Sequence, residues 1–129
     1  MDNDHLTVFV SDYSASKAFY EETLAPLGLV VLLDWPDARR VYFGPAGKPS
    51  SLWVVESDLA GGTEIALSAE DAGAVHAFFG TAIAAGGRMH WEPGPRHEYY
   101  SARVLDFDGN SLEAVFRGEA VAVSSPAAA

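Results

Sequence analysis

Residues 61–87 read GGTEIALSAEDAGAVHAFFGTAIAAGG, and residues 3–28 read NDHLTVFVSDYSASKAFYEETLAPLG. The two stretches share one build: a short alternating run, an Asp, an Ala- and aromatic-bearing helical pattern, and a closing Gly. Sliding the chain by 59 places lays 5–28 on 64–87 with six of 24 positions identical, Asp12/Asp71, Ala15/Ala74, Ala18/Ala77, Phe19/Phe78, Ala25/Ala84 and Gly28/Gly87. The pattern says more than the count, since Leu6, Val8 and Val10 fall on Ile65, Leu67 and Ala69, and Leu24 falls on Ile83.

Period-2 alternation reads as a half-buried strand. Leu6, Val8 and Val10 then share one face, and His5, Thr7 and Phe9 the other. In the second copy Ile65, Leu67 and Ala69 oppose Glu64, Ala66 and Ser68. Asp12, Ser14 and Asp71 stand where a helix needs an N-cap acceptor for its free N–H groups. The helices, about 14–26 and 71–85, carry Phe19, Leu24 and Leu27, and Val75, Phe78, Phe79 and Ile83, at helical spacing. Gly28 and Gly86–Gly87 supply the stops.

Beyond each helix come three strand-like runs: 29–35, 40–45 and 51–57 in the first copy, 88–92, 99–107 and 111–116 in the second. The expected fold is therefore α+β: two βαβββ modules forming a cup-shaped, incompletely closed eight-stranded mixed sheet with helices on its outer face. The modules span about 4–58 and 62–117 of a single domain, 1–117, and residues 118–129 form a flexible tail of small residues. The concave face is left for a ligand, and by parity it presents His5, Trp53, Glu64 and Glu113. Three of these four are metal-ligand types, and His5 matches Glu64 under the repeat as Trp53 matches Glu113. A carboxylate buried on an apolar strand is costly unless paired or metal-bound.

The bulk numbers set the outer limits. The 129 residues are 49% hydrophobic, with 18 acidic and 8 basic side chains for a net charge of −10. So acidic a surface repels phosphate backbones and anionic lipid, which speaks against nucleic-acid and membrane partners. No apolar run is long enough to span a bilayer, and the N-terminus lacks the basic, then apolar, pattern of a signal peptide. Without cysteine there is no disulfide or thiolate chemistry, which suits a cytoplasmic location.

The segments DHLTVFVSDYSASKAFYEETLAPLG and YYSARVLDFDGNSLEAVF carry a family resemblance. Over about residues 4–117 the chain resembles the vicinal oxygen chelate superfamily: glyoxalase I, extradiol dioxygenases, fosfomycin-resistance transferases, methylmalonyl-CoA epimerases and bleomycin-resistance proteins. The resemblance implies a homodimer and a divalent ion held from the first, fifth and eighth strands, here by His5, Glu64 and Glu113. Such an ion takes two neighbouring oxygens of a small-molecule substrate and acts as a Lewis acid. Two departures stand out. Glu64 replaces a frequent His, which weighs against extradiol Fe(II) chemistry, and Trp53 occupies a position that is often Glu in glyoxalase I. One His and two carboxylates leave Mn²⁺, Ni²⁺, Co²⁺ or Zn²⁺ as candidates.

The function these residues point to first is a small metal-dependent isomerase or lyase acting on an oxygenated substrate, with Glu64 or Glu113 doubling as a mobile base. The alternative, from a different class, is a metal-free dimer that sequesters a cationic drug-like ligand, in the manner of bleomycin-resistance proteins. Around the site, Arg96 or His97 could hold an acidic substrate group and Tyr99 or Tyr100 could donate a proton; the alternative is an aromatic strand entry with a solvated loop. Trp35, Trp53 and Trp91 line the pocket or belong to the core, and His76 and His90 read as structural or exposed.

Overall fold

The computed structural model describes residues 5–45 and 51–118, with His5 described through its backbone alone; residues 119–129, the rest of the expected tail, lie outside the described residues. The elements run β1 (His5–Val10), α1 (Tyr13–Leu24), β2 (Val30–Trp35), β3 (Arg40–Gly44), β4 (Ser51–Glu56), β5 (Glu64–Ser68), α2 (Ala72–Ala84), β6 (Arg88–Arg96), β7 (Tyr99–Leu105) and β8 (Ser111–Phe116). Two four-stranded sheets result, ordered β1-β4-β3-β2 and β5-β8-β7-β6. In each, the first and fourth strands pair in parallel and the rest are antiparallel. The repeat is thus one topology used twice, down to register: His5 lies opposite Ser51 as Glu64 lies opposite Ser111.

Both helices begin on the expected Asp. Asp12 accepts the Ala15 N–H at 3.1 Å and Asp71 the Ala74 N–H at 2.7 Å. The first helix stops at Leu24 instead of continuing to 26, because Pro26 lacks an N–H donor and the chain tightens into a 3₁₀ turn over Ala25–Leu27. The strand faces follow the alternation. Val8, Val10, Val41, Phe43, Leu52 and Val54 are buried under α1, with Phe19, Tyr20 and Leu24; Ile65, Leu67, Ala102, Val104, Leu112 and Ala114 meet Val75, Phe78 and Ala82 of α2. All of these belong to one continuous cluster, so the modules share a single core.

Two local expectations fail for identifiable reasons. Ile83 is 38% exposed although its repeat partner Leu24 is buried. The α2 contact face runs through Val75, Phe78 and Ala82, and Ile83 lies about 100° past it. Strand β6, expected to end at Glu92, runs through Pro93 and Pro95 to Arg96. Being an edge strand with register shifts on both sides of Trp91, it has no outer partner that would need the missing N–H groups.

The turn after β7 locks the modules together. Asp106 is buried and accepts the Tyr20 hydroxyl at 2.5 Å, the backbone N–H groups of Asp108 and Asn110, and the Asn110 side-chain amide. Asn110 in turn donates to the Phe9 carbonyl at the end of β1 and accepts the Thr63 N–H. Asp108 accepts the Ser11 N–H. Gly61 donates to the same Phe9 carbonyl with φ +93°, and a Cβ there would lie 2.6 Å from the Asp108 carbonyl oxygen, so only glycine fits. Burial and the Asp106 carboxylate together push the Tyr20 phenol well above its ordinary pKa, keeping it a donor at any physiological pH.

Removing the Asp106 carboxylate strands the Tyr20 hydroxyl in the core and takes away one of the two acceptors of the Asn110 amide. Asp106→Ala should therefore lower unfolding free energy by about 3 kcal/mol, and Tyr20→Phe by roughly 1–2 kcal/mol, as read by urea titration. A loss of less than about 0.5 kcal/mol in Asp106→Ala would remove the turn from its linking role. A second expectation concerns acid. Lys17 at 2.8 Å, and then the Tyr13 hydroxyl, hold Asp34 below its ordinary carboxylate pKa. A depressed folded pKa contributes stability above the unfolded value of about 4 and loses it as pH falls through the folded value. Asp34→Asn should flatten the stability–pH curve below about pH 4. It should also flatten the alkaline limb, because the same carboxylate holds the Lys17 ammonium above its ordinary pKa and, after burial, does the same for the Tyr13 phenol.

Candidate functional site

The side chains left on the concave faces build the candidate site. On the first sheet, strand register sets Tyr42 opposite Trp53, Leu33 opposite Tyr42 and Arg40 opposite Trp35. The outcome is an aromatic cluster: the Tyr42 and Trp53 rings lie 4.6 Å apart, Trp35 and Trp53 5.5 Å apart, and the Arg40 guanidinium sits 5.7 Å above Trp53. Trp53 is half-buried, while Trp35 and Phe9 are exposed.

On the second sheet, Trp91, Arg103 and Glu113 occupy one row across β6, β7 and β8. Arg103 donates to Glu113 Oε1 at 2.7 Å and to the Ser111 hydroxyl. The Glu113 side chain is 6% exposed and that of Arg103 15%, so the pair is largely removed from water. Among the described residues the other Glu113 oxygen, Oε2, is buried with no hydrogen-bond partner, as is the Arg103 Nε. The Trp91 indole N–H reaches the Ser101 hydroxyl at 3.3 Å, and two guanidinium groups lie on its ring, Arg96 at 4.1 Å and Arg103 at 4.9 Å.

The other residues singled out in the sequence are dispersed. Glu64 starts β5 on the Glu113 side of the sheet, its side chain exposed. His97 is exposed at the β6–β7 turn with φ +53°. Tyr99 shares the concave parity and carries Arg117 at 5.4 Å. Tyr100 lies on the opposite, helix-covered side, where its hydroxyl meets His76 Nε2 at 2.7 Å. The side chain of His5 lies outside the described residues. Among the described residues no three metal-ligating side chains converge, and no helix is long and apolar enough to cross a membrane.

Arg103 is the residue that reading the sequence overlooks. A lone Arg between Ala102 and Val104, at the same parity as Ser101, is the available signal, but its value depends on which residue of β8 lies opposite.

The paired-module fold is shared with known proteins. Residues 3–114 match the model of the Glyoxalase/Bleomycin resistance protein/Dioxygenase superfamily, and the chain belongs to that superfamily. Among solved structures it is similar to a glyoxalase/bleomycin resistance protein from Albidiferax ferrireducens T118, at 27% identity and a TM-score of 0.79, over 90% of this chain and 98% of that one. It shares the fold of lactoylglutathione lyase from Agrobacterium tumefaciens, with 18% identity, a TM-score of 0.66 and coverage of 89% and 92%. It shares it too with a point mutant of the fosfomycin resistance protein FosX from Listeria monocytogenes, complexed with Mn(II) and 1S,2S-dihydroxypropylphosphonic acid, with 21% identity, a TM-score of 0.67 and coverage of 91% and 90%. No curated protein matches the chain significantly in sequence.

Proposed function

We propose that the chain is a ligand-binding member of its superfamily that receives a small organic molecule on the concave face without a divalent ion. The observation that carries this reading is the Arg103–Glu113 pair. Glu113 is the family-implied ligand on the last strand, and a permanently charged guanidinium already neutralises it. An ion added at Oε2 would have to share the carboxylate with that guanidinium, whose like charge opposes it. Trp53 offers no ligand atom at the fourth-strand position, and no three metal-ligating side chains of the described residues gather at the exposed Glu64. The side chain of His5, the third implied ligand, lies outside the described residues; the two described ones, a paired Glu113 and an exposed Glu64, do not by themselves fit the ion, and no step is routed through one.

The chemistry available to the chain's own side chains is binding. Trp53, Tyr42 and Trp35 offer flat apolar surface, and Arg40 lies against that surface. Ser101 and Ser111 fix Trp91 and Arg103 in place. Exposure of Leu33 at 42% and Trp35 at 48% supports a second copy of the chain completing the cup; a monomer in sedimentation velocity would remove that part of the proposal.

Thermal melts of EDTA-treated protein test the reading. A specifically bound ion at about 100 times its dissociation constant adds roughly 2.7 kcal/mol, equivalent to several degrees here. The expected outcome is no shift beyond about 1 °C with Mn²⁺, Ni²⁺, Co²⁺ or Zn²⁺. In parallel, Arg103→Met should destabilise the protein by about 3 kcal/mol by leaving Glu113 buried and unpaired. An ion-dependent rise of several degrees that disappears in Glu113→Gln would contradict the proposal and support the metal-dependent lyase or isomerase instead.

A further inference from the structure

The metal-independent reading leaves the ligand's chemistry open, and the arginines of the concave face narrow it; the ligand class assigned from them rests on that reading. The chain carries a net charge of −10 and only 8 basic residues. Two of these are taken by surface carboxylates, Lys17 by Asp34 and Arg39 by Glu56. Three others gather against the indoles of the concave face: Arg40 on Trp53, and Arg96 and Arg103 on Trp91. Arg103 is committed to Glu113, so that pair is neutral as a unit.

Arg96 is different. It is half-buried at the end of β6, its guanidinium rests on Trp91 at 4.1 Å, its Nε is buried without an acceptor, and no carboxylate of the described residues lies within ion-pair distance of it. Arg40 repeats the arrangement in the first module, again with a buried, unpartnered Nε. A guanidinium is planar and presents its terminal N–H groups as a fork that takes a carboxylate edge-on with two hydrogen bonds, and contact with an indole limits the positions it can adopt. The acidic remainder of the surface disfavours anions everywhere else, so an uncompensated Arg beside an aromatic wall is a local reversal of sign.

We propose that the Arg96–Trp91 site of the second module binds a planar organic anion, an aromatic carboxylate, with Arg96 holding the carboxylate and Trp91 forming the wall. This replaces the cationic ligand that the overall charge suggests.

The experiment is a chemical-shift titration of ¹⁵N-labelled protein with 2-naphthoate and, separately, with 2-naphthylmethylammonium, which carries the same ring and the opposite charge. The Trp91 indole N–H, assigned through Trp91→Phe, reports on the site, and the titrations are run in EDTA and repeated with Mn²⁺ or Zn²⁺ in its place. The expected result is saturable movement of that signal with naphthoate, at least about tenfold weaker binding of the ammonium compound, and a loss of about tenfold or more in naphthoate affinity in Arg96→Gln. Arg96→Lys should recover part of that loss, and each variant's own spectrum reports its folding. Tighter binding of the ammonium compound overturns the assignment of charge while leaving the metal-independent reading standing. Naphthoate binding that survives Arg96→Gln, or no response to either probe, overturns the site. Naphthoate binding that appears only when EDTA is replaced by Mn²⁺ or Zn²⁺ overturns the metal-independent reading itself.

Discussion

A buried carboxylate held by no described cation, Asp106, is what the arrangement of the modules turns on. Its charge is held by four donors, the Tyr20 hydroxyl, two backbone N–H groups and the Asn110 amide, each of which must stay in place for burial to be tolerated. Tyr20 belongs to the first module's helix and Asn110 to the second module's last turn. One buried charge therefore orients the helix layer of one module and the strand end of the other. The Phe9 carbonyl, which accepts from both Gly61 and Asn110, closes the same junction from the β1 side. Behind both sheets lies the core that the two modules share.

On those faces the modules have diverged while keeping register. Trp53 and Glu113 hold the same place in their sheets, and so do their cross-strand neighbours Tyr42 and Arg103. In the first module that pair is aromatic on aromatic; in the second it is acid on base. The Glu113 carboxylate is bound by a guanidinium that itself lies on the Trp91 indole of the next strand, and that indole carries a second guanidinium, Arg96. Glu113 and Arg103 form a buried ion pair, and Arg96 lies on the indole beside it without a described carboxylate at ion-pair distance.

The fold is legible in the sequence because its signals are local. Alternation at Leu6, Val8, Val10 and at Ile65, Leu67 marks faces with a period of two, and Asp12 and Asp71 mark helix starts, whatever the rest of the chain does. What the sequence obscures depends on partners distant along the chain. Pro93 and Pro95 look like strand breakers until β6 is known to lie at an edge, and Ile83 looks like Leu24 until the α2 contact face is fixed by Val75, Phe78 and Ala82. In the same way Glu113 is visible as a costly buried acid, whereas Arg103 opposite it becomes visible only through the β7–β8 register. Adjacency groups Tyr100 with Tyr99, yet neighbouring strand residues face opposite sides, and Tyr100 turns toward His76 on the helix.

The functional account stands on the cation at Glu113 belonging to the protein. Crystals grown from metal-free protein and soaked in Mn²⁺, with anomalous diffraction collected at a wavelength sensitive to manganese, test this at the atom concerned. The account predicts no anomalous peak near Glu113 and the Arg103 guanidinium still on its carboxylate. A manganese peak bound by Glu113, with His5 or Glu64 beside it and Arg103 displaced, would contradict it.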